Sequence, residues 1–118
     1  MDRQAVLDYA RETYGTAPEY LWAKYPDDAV LRHGDNRKWY ALIMNISKDK
    51  LGLECAEAVD IMNVKCDPKM IGSLRLTEGI LPGYHMNKGN WITVLLDGSV
   101  EEELIYSLLD LSFSLTAG

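Results

Sequence analysis

Cysteine is scarce, with two in 118 residues. Cys55 and Cys66 have no C-x-x-C partner, which argues against a disulfide framework and against a structural zinc site. No apolar run approaches the roughly 18 residues that a membrane-spanning helix needs, so no membrane role is expected. The opening MDRQAVLDYARE is charged and amphipathic and lacks an apolar export core. A cytoplasmic protein with reduced thiols is therefore expected. The sequence contains no G-x-x-x-x-G-K-[ST], G-x-G-x-x-G, G-x-S-x-G or H-E-x-x-H. Catalysis, a cofactor and a metal are accordingly not expected. Basic residues are missing from residues 97–118, where Asp97, Glu101, Glu102, Glu103 and Asp110 stand alone.

What remains is an ordinary globular composition. Hydrophobic residues make up 47% and charged residues 25%, which argues against disorder. Neither a repeat nor a linker divides the chain, so residues 1–118 are read as one domain.

Periodicity and punctuation predict the elements. Residues 2–14 form a helix, with Asp2 as N-cap and Gly15 closing it. Residues 16–28 are irregular, with Tyr20, Trp22 and Tyr25 as rings that pin them to the core. Residues 29–33 and 38–46 make a hairpin around the turn Gly34-Asp35-Asn36, beside which His33 reads as a surface histidine. In the second strand, Trp39, Ala41 and Ile43 point one way and Tyr40, Leu42, Met44 and Ile46 the other. Both faces are apolar, so the strand should be central and covered on each side. Residues 51–55 read as a weak strand. Residues 61–66 are a firm one, with Ile61, Asn63 and Lys65 opposite Met62, Val64 and a core Cys66. Asp67-Pro68 starts a helix over 68–77. Residues 80–90 read as a loop and 91–96 as a strand. Ser99 with Glu102 suggests a capping box before a helix over 100–114, with Leu104, Ile105, Leu108, Leu111 and Leu115 facing the core. The order predicts an α+β fold, a mostly antiparallel sheet packed against N- and C-terminal helices.

Net charge is −6, and residues 97–118 alone account for −5. The three glutamates at 101–103 suit the positive end of a helix dipole. Residues 32–38 lean basic through Arg32, Arg37 and Lys38. Residues 61–96 do so through Lys65, Lys69, Arg75 and Lys88. Residues 82–91, PGYHMNKGNW, gather rings, an imidazole, an amide and a cation within ten positions. Such groups suit a binder of bases, phosphates or acidic peptides.

Val64-Lys65-Cys66-Asp67-Pro68, then Pro82-Gly83-Tyr84-His85-Met86-Asn87-Lys88, then Trp91 and Leu96-Asp97-Gly98, resemble the MmcQ/YjbR family of small bacterial proteins. Trp39-Tyr40-Ala41-Leu42 and Ser112-Phe113-Ser114-Leu115 fit the same pattern, so the resemblance spans nearly the whole chain. It implies a frataxin-like α+β fold and DNA binding by a double wing. On this chain the wings fall at 32–38 and 82–91. The DNA- or ligand-binding residues would then be Arg32, Arg37, Lys38, Lys65, His85, Asn87 and Lys88. Binding to duplex DNA should be weak, because phosphate neutralisation drives it and the chain is acidic. The alternative is a protein- or peptide-binding module, a monomer or weak dimer, that uses a sheet edge or the aromatic loop. Three structural expectations accompany these readings. Lys65, His85, Asn87 and Lys88 should form one exposed cluster. Trp39 and Trp91 should be mostly buried. The 101–103 glutamates should lie away from the cationic face.

Overall fold

The structure is a computed structural model and describes residues 2–118. Helix α1 (Arg3–Tyr14) starts where the Asp2 carboxylate accepts the Ala5 N–H at 3.0 Å. It stops at Gly15, whose φ of +69° is cheap only for glycine. Strands β1 (Ala29–Arg32), β2 (Trp39–Ser47) and β3 (Ala58–Lys65) follow, then α2 (Pro68–Leu74), β4 (Ile80–Pro82), β5 (Trp91–Leu95) and α3 (Glu102–Thr116). The strands form one sheet in the order β1-β2-β3-β5-β4, and every neighbouring pair is antiparallel. This is the expected α+β arrangement, with a helix near each end of the chain.

The two faces of the sheet differ. On one, Val6 and Ala10 of α1 and Ile105, Leu108 and Leu109 of α3 pack with Ala41, Ile43, Met62, Val64, Ile92 and Val94 into the main core. Among the described residues the other face carries no α-helix. A smaller cluster there, Val59, Ile61 and Leu95, is covered by Leu51, Leu53, Leu81 and Tyr84. The doubly apolar β2 is thus covered on each side, but by a turn and a loop on the second.

A β-bulge sets the geometry at one end. Leu31 faces Ala41, yet Arg32 faces Trp39, so Tyr40 is the extra residue. The bulge turns Tyr40 into the helix-side core and leaves Trp39 against Trp22 on the open face. Simple alternation placed these two rings the other way round. The bulge also frees the Tyr40 carbonyl and the Lys65 N–H. The Ser112 hydroxyl of α3 donates to the first at 2.5 Å and accepts from the second at 2.9 Å. That polar requirement helps explain why α3 buries Ile105, Leu108, Leu109, Ser112 and Thr116 rather than the expected stripe. Leu104 and Leu111 are only partly buried, and Leu115 is 42% exposed.

Other boundaries move for local reasons. Residues 51–55 are not a strand: Lys48–Leu51 is a 3-10 turn ended by Gly52 at φ +82°. β3 begins at Ala58, because pairing with β2 extends to Ser47. α2 ends at Leu74 and not at 77. Residues 80–82 are an edge strand rather than loop, held by pairing with β5. The Ser99 N–H and hydroxyl both bond Asp97 Oδ1, at 3.0 and 2.6 Å, so Ser99 builds a turn and Glu101 takes the N-cap. Tyr20 and Tyr25 do not pin residues 16–28 to the core; each is 54% exposed. Glu19 and Val30 hold that segment to β1 through two backbone bonds of 2.9 and 2.8 Å.

Trp39 and Trp91 are mostly buried, as expected, and each keeps an exposed edge. Truncating either to alanine should cost about 2–3 kcal/mol, below the roughly 3–5 typical of fully buried rings. Urea unfolding with an unchanged m-value would measure it.

Candidate functional site

Strand register brings the two basic segments to one end of the sheet. Arg32 pairs with Trp39, Lys65 with Trp91, and Pro82 with Ile92. The turn 33–38, the loop 83–90 and the start of α2 therefore share that end. α3 finishes there too: His33 Nε2 lies 2.8 Å from Thr116 Oγ1, and Asn36 Nδ2 donates to the Thr116 carbonyl at 2.9 Å. His33 is consequently buried, not a surface residue, because it bridges the hairpin to α3. The acidic start of α3 lies at the far end, 15 residues away along the helix, or about 22 Å.

The turn presents Arg37 and Lys38 to solvent. Asn36 Oδ1 accepts the Lys38 N–H at 2.9 Å, and Arg37 sits at φ +66°. Arg32 differs from them. Its guanidinium donates to both Glu19 carboxylate oxygens at 2.5 Å. The hydrogen bond to Arg32 holds the Glu19 carboxyl below its ordinary range. Arg32 thus belongs to an internal pair, and the cations left for a ligand are Arg37, Lys38, Lys65, Lys69 and Lys88.

The loop 83–90 is built by its own polar groups. Asn63 and Thr93, opposite one another on β3 and β5, are fully buried on the open face. Asn63 Nδ2 donates to the Tyr84 carbonyl at 2.9 Å, and the Tyr84 N–H donates to Thr93 Oγ1 at 2.8 Å. His85, at φ +57°, stacks on Tyr84 with ring centres 3.9 Å apart. Lys88 Nζ reaches back to the Gly83 carbonyl at 3.0 Å, and Asn87 Oδ1 accepts the Gly89 N–H at 2.8 Å. Lys65, His85, Asn87 and Lys88 share this part of the fold. Among the described residues no hydrogen bond joins one of these side chains to another, and Lys65 is partly buried. They form a common surface rather than a bonded cluster.

Gly83 is required by close approach. A Cβ there would lie 2.9 Å from the Trp91 carbonyl oxygen, a backbone atom that cannot move aside. Gly83→Ala should cost about 1–3 kcal/mol, read as a lowered thermal midpoint.

Cys66 is buried as expected, and burial pushes its thiol above the ordinary value, the reverse of a nucleophile's requirement. No group of three or more His, Cys, Asp or Glu is placed to hold a metal among the described residues. No helix among them is long and apolar enough to cross a membrane.

The sequence reading missed a groove on the open face. The segment carrying Trp22 and Tyr25 forms one wall, Tyr84, His85 and Met86 the other, and Trp39, Leu42 and Met44 the floor. Its residues come from three separated stretches, and only the aromatics at 20–25 hinted at it.

An antiparallel sheet with helices on one face, and a cationic end beside an aromatic groove on the other, defines a small α+β domain. Comparison with known proteins makes the assignment specific. The YjbR family profile matches residues 11–115, and the chain belongs to that family. It is 47% identical over 116 residues to the uncharacterised protein YyaQ of Bacillus subtilis, covering 98% of each chain. It is 30% identical to the uncharacterised YbdF of Escherichia coli O157:H7, covering 98% of this chain and 87% of that one. A crystal structure of a Pseudomonas syringae protein superposes with a TM-score of 0.96 at 50% identity, over 99% of this chain and all of the other.

Proposed function

We propose that this protein is a weak, largely sequence-independent binder of duplex DNA that sets the cationic end of its sheet against the phosphates. The observation that carries the reading is the polarity of charge along the sheet. Arg37, Lys38, Lys65, Lys69 and Lys88 gather at one end, opposed there by Asp35 and Asp67. One Asp67 oxygen is already engaged by the Lys69 N–H at 2.9 Å. The glutamates at 101–103 stand at the other end, where they do not repel a bound duplex. An overall acidic chain thus keeps a local cationic surface, and local charge is what phosphate contact requires.

Titration of a labelled duplex tests this. About four simultaneous phosphate contacts imply a slope of log affinity on log salt near −3.6, with a Kd of roughly 10⁻⁴–10⁻⁶ M at physiological salt. Arg37→Ala and Lys88→Ala should each weaken binding for every sequence and flatten the slope by about one. Arg32→Ala should leave the slope unchanged, since its charge is spent on Glu19. No binding at about 50 mM salt and about 100 μM protein would overturn the proposal and favour a protein-interaction module.

A further inference from the structure

The groove on the open face contains one carboxylate that no side chain bonds. Asp28 immediately precedes β1 and is 8% exposed. Its N–H bonds the Tyr25 carbonyl at 3.1 Å, but its carboxylate has no hydrogen bond and no ion pair among the described residues. The Arg3 guanidinium is near enough to favour the charged carboxylate but does not pair with it; it donates to the Asp27 and Ile43 carbonyls and faces Asp60 at 3.9 Å. Two adjoining cavities of about 370 and 270 Å³ open beside Asp28 and share Tyr25, Met44 and His85 with it. Lys50 lines the larger cavity and is exposed; the smaller has no lysine or arginine in its lining.

The lining is suited to a cation. Trp22 meets Trp39 edge to face, with ring centres 5.8 Å apart, and Tyr25 stands beside them. The π-faces of such rings attract cations, and Lys24 Nζ already lies 5.7 Å from the Tyr25 ring centre. A largely buried carboxylate with no bonded partner is costly, and an incoming cation offsets part of that cost.

We propose that this groove binds a small organic ammonium, its charged head at Asp28 and its apolar or aryl body between Trp22, Trp39 and Met44. The cavity sizes suit a ligand at the small end of the usual range. The proposal does not rest on the DNA reading: the groove borders the cationic end through Trp39 and His85, but neither Asp28 nor Trp22 belongs to that end.

Phenethylammonium, 2-phenylethanol and 3-phenylpropionate serve as probes that share a phenethyl body and differ in the charge of the head group. Binding is followed through the indole N–H resonances. The cation should shift Trp22 and Trp39 saturably, leave Trp91 in place, and bind more tightly than the alcohol, with the anion weakest. Asp28→Asn should weaken the cation roughly tenfold to a hundredfold and leave the alcohol unchanged. Trp22→Ala should weaken both. Asp28→Asn should also leave the DNA titration as it was.

A stability measurement confirms that the variant is folded. Burial, opposed by the Arg3 guanidinium and reinforced by the Asp27 carboxylate, raises the Asp28 carboxyl above its ordinary value, so the native state holds its proton more tightly than the unfolded state. Stability contributed by this group therefore falls as pH rises from the ordinary aspartate range through the raised value. Asp28→Asn should be more stable than the parent at neutral pH and equal to it in acid, where both states are protonated. Equal affinity for phenethylammonium and 2-phenylethanol, no effect of Asp28→Asn on the cation, or no indole shift at about 10 mM ligand would each overturn the proposal.

Discussion

Tyr40→Ala should lower the unfolding free energy by about 3–5 kcal/mol, the largest loss expected from any single truncation in this chain. Tyr40 is fully buried at the bulge. Its ring meets Tyr14 edge to face at 5.6 Å and Phe113 at 5.0 Å, and lies 5.3 Å from His33. One side chain thus joins α1, the hairpin and α3, and its removal would leave a cavity lined by all three. Its hydroxyl is a different matter. It is buried without a well-formed hydrogen bond. Burial pushes it up to about 12, an effect that the Thr16 side chain only tempers. Tyr40→Phe removes an unsatisfied polar atom and keeps the ring, so it should be neutral or slightly stabilising. Chemical denaturation of the two variants separates these contributions. A Tyr40→Ala protein within about 1 kcal/mol of the parent would show that the bulge can repack.

The same residue marks where sequence reasoning stops. Local signals carried far: Asp2 and Gly15 bound α1, Asp67-Pro68 opens α2, and the two-sided apolar run marks β2 as interior. Each depends on neighbours a few positions away. The bulge does not. It arises from the spacing between β1 and β2, so period-two alternation assigned Trp39 and Tyr40 to the wrong faces. Ser112 and Thr116 were overlooked on α3 for a related reason. They serve backbone groups beside the bulge and the hairpin histidine, partners that lie far away in the sequence.

The candidate site divides in the same way. Composition singles out residues 32–38 and 82–91, and the register then brings both to one end. The pairing of Arg32 with Glu19 needs the irregular segment to run along β1, a contact across 13 positions that no local pattern announces. Asp27 and Asp28 are adjacent carboxylates that no local pattern tells apart. Only the fold distinguishes the exposed first carboxylate from the buried second.

The second large effect concerns the polar ladder beneath the loop, and Asn63→Leu is its probe. Asn63 is fully buried between β2 and β5, and a leucine of similar size fits the apolar strand pattern better. Hydrophobicity alone would predict a gain. The hydrogen bonds predict the opposite. The Thr93 hydroxyl donates to Asn63 Oδ1 at 2.5 Å, and Asn63 Nδ2 satisfies the Tyr84 carbonyl at 2.9 Å. Leucine strands a buried hydroxyl proton and weakens the hold on the loop, at a cost of about 2–4 kcal/mol. Adding Thr93→Val removes the stranded hydroxyl but also releases the Tyr84 N–H. The double variant should therefore regain part of the stability while exchange of the Tyr84 amide with solvent becomes faster still. The amides of Met62 and Val64, deep in β3, should change only with global stability. An Asn63→Leu protein as stable as the parent, with Tyr84 still protected, would mean that Gly83 and Lys88 hold the loop without the ladder.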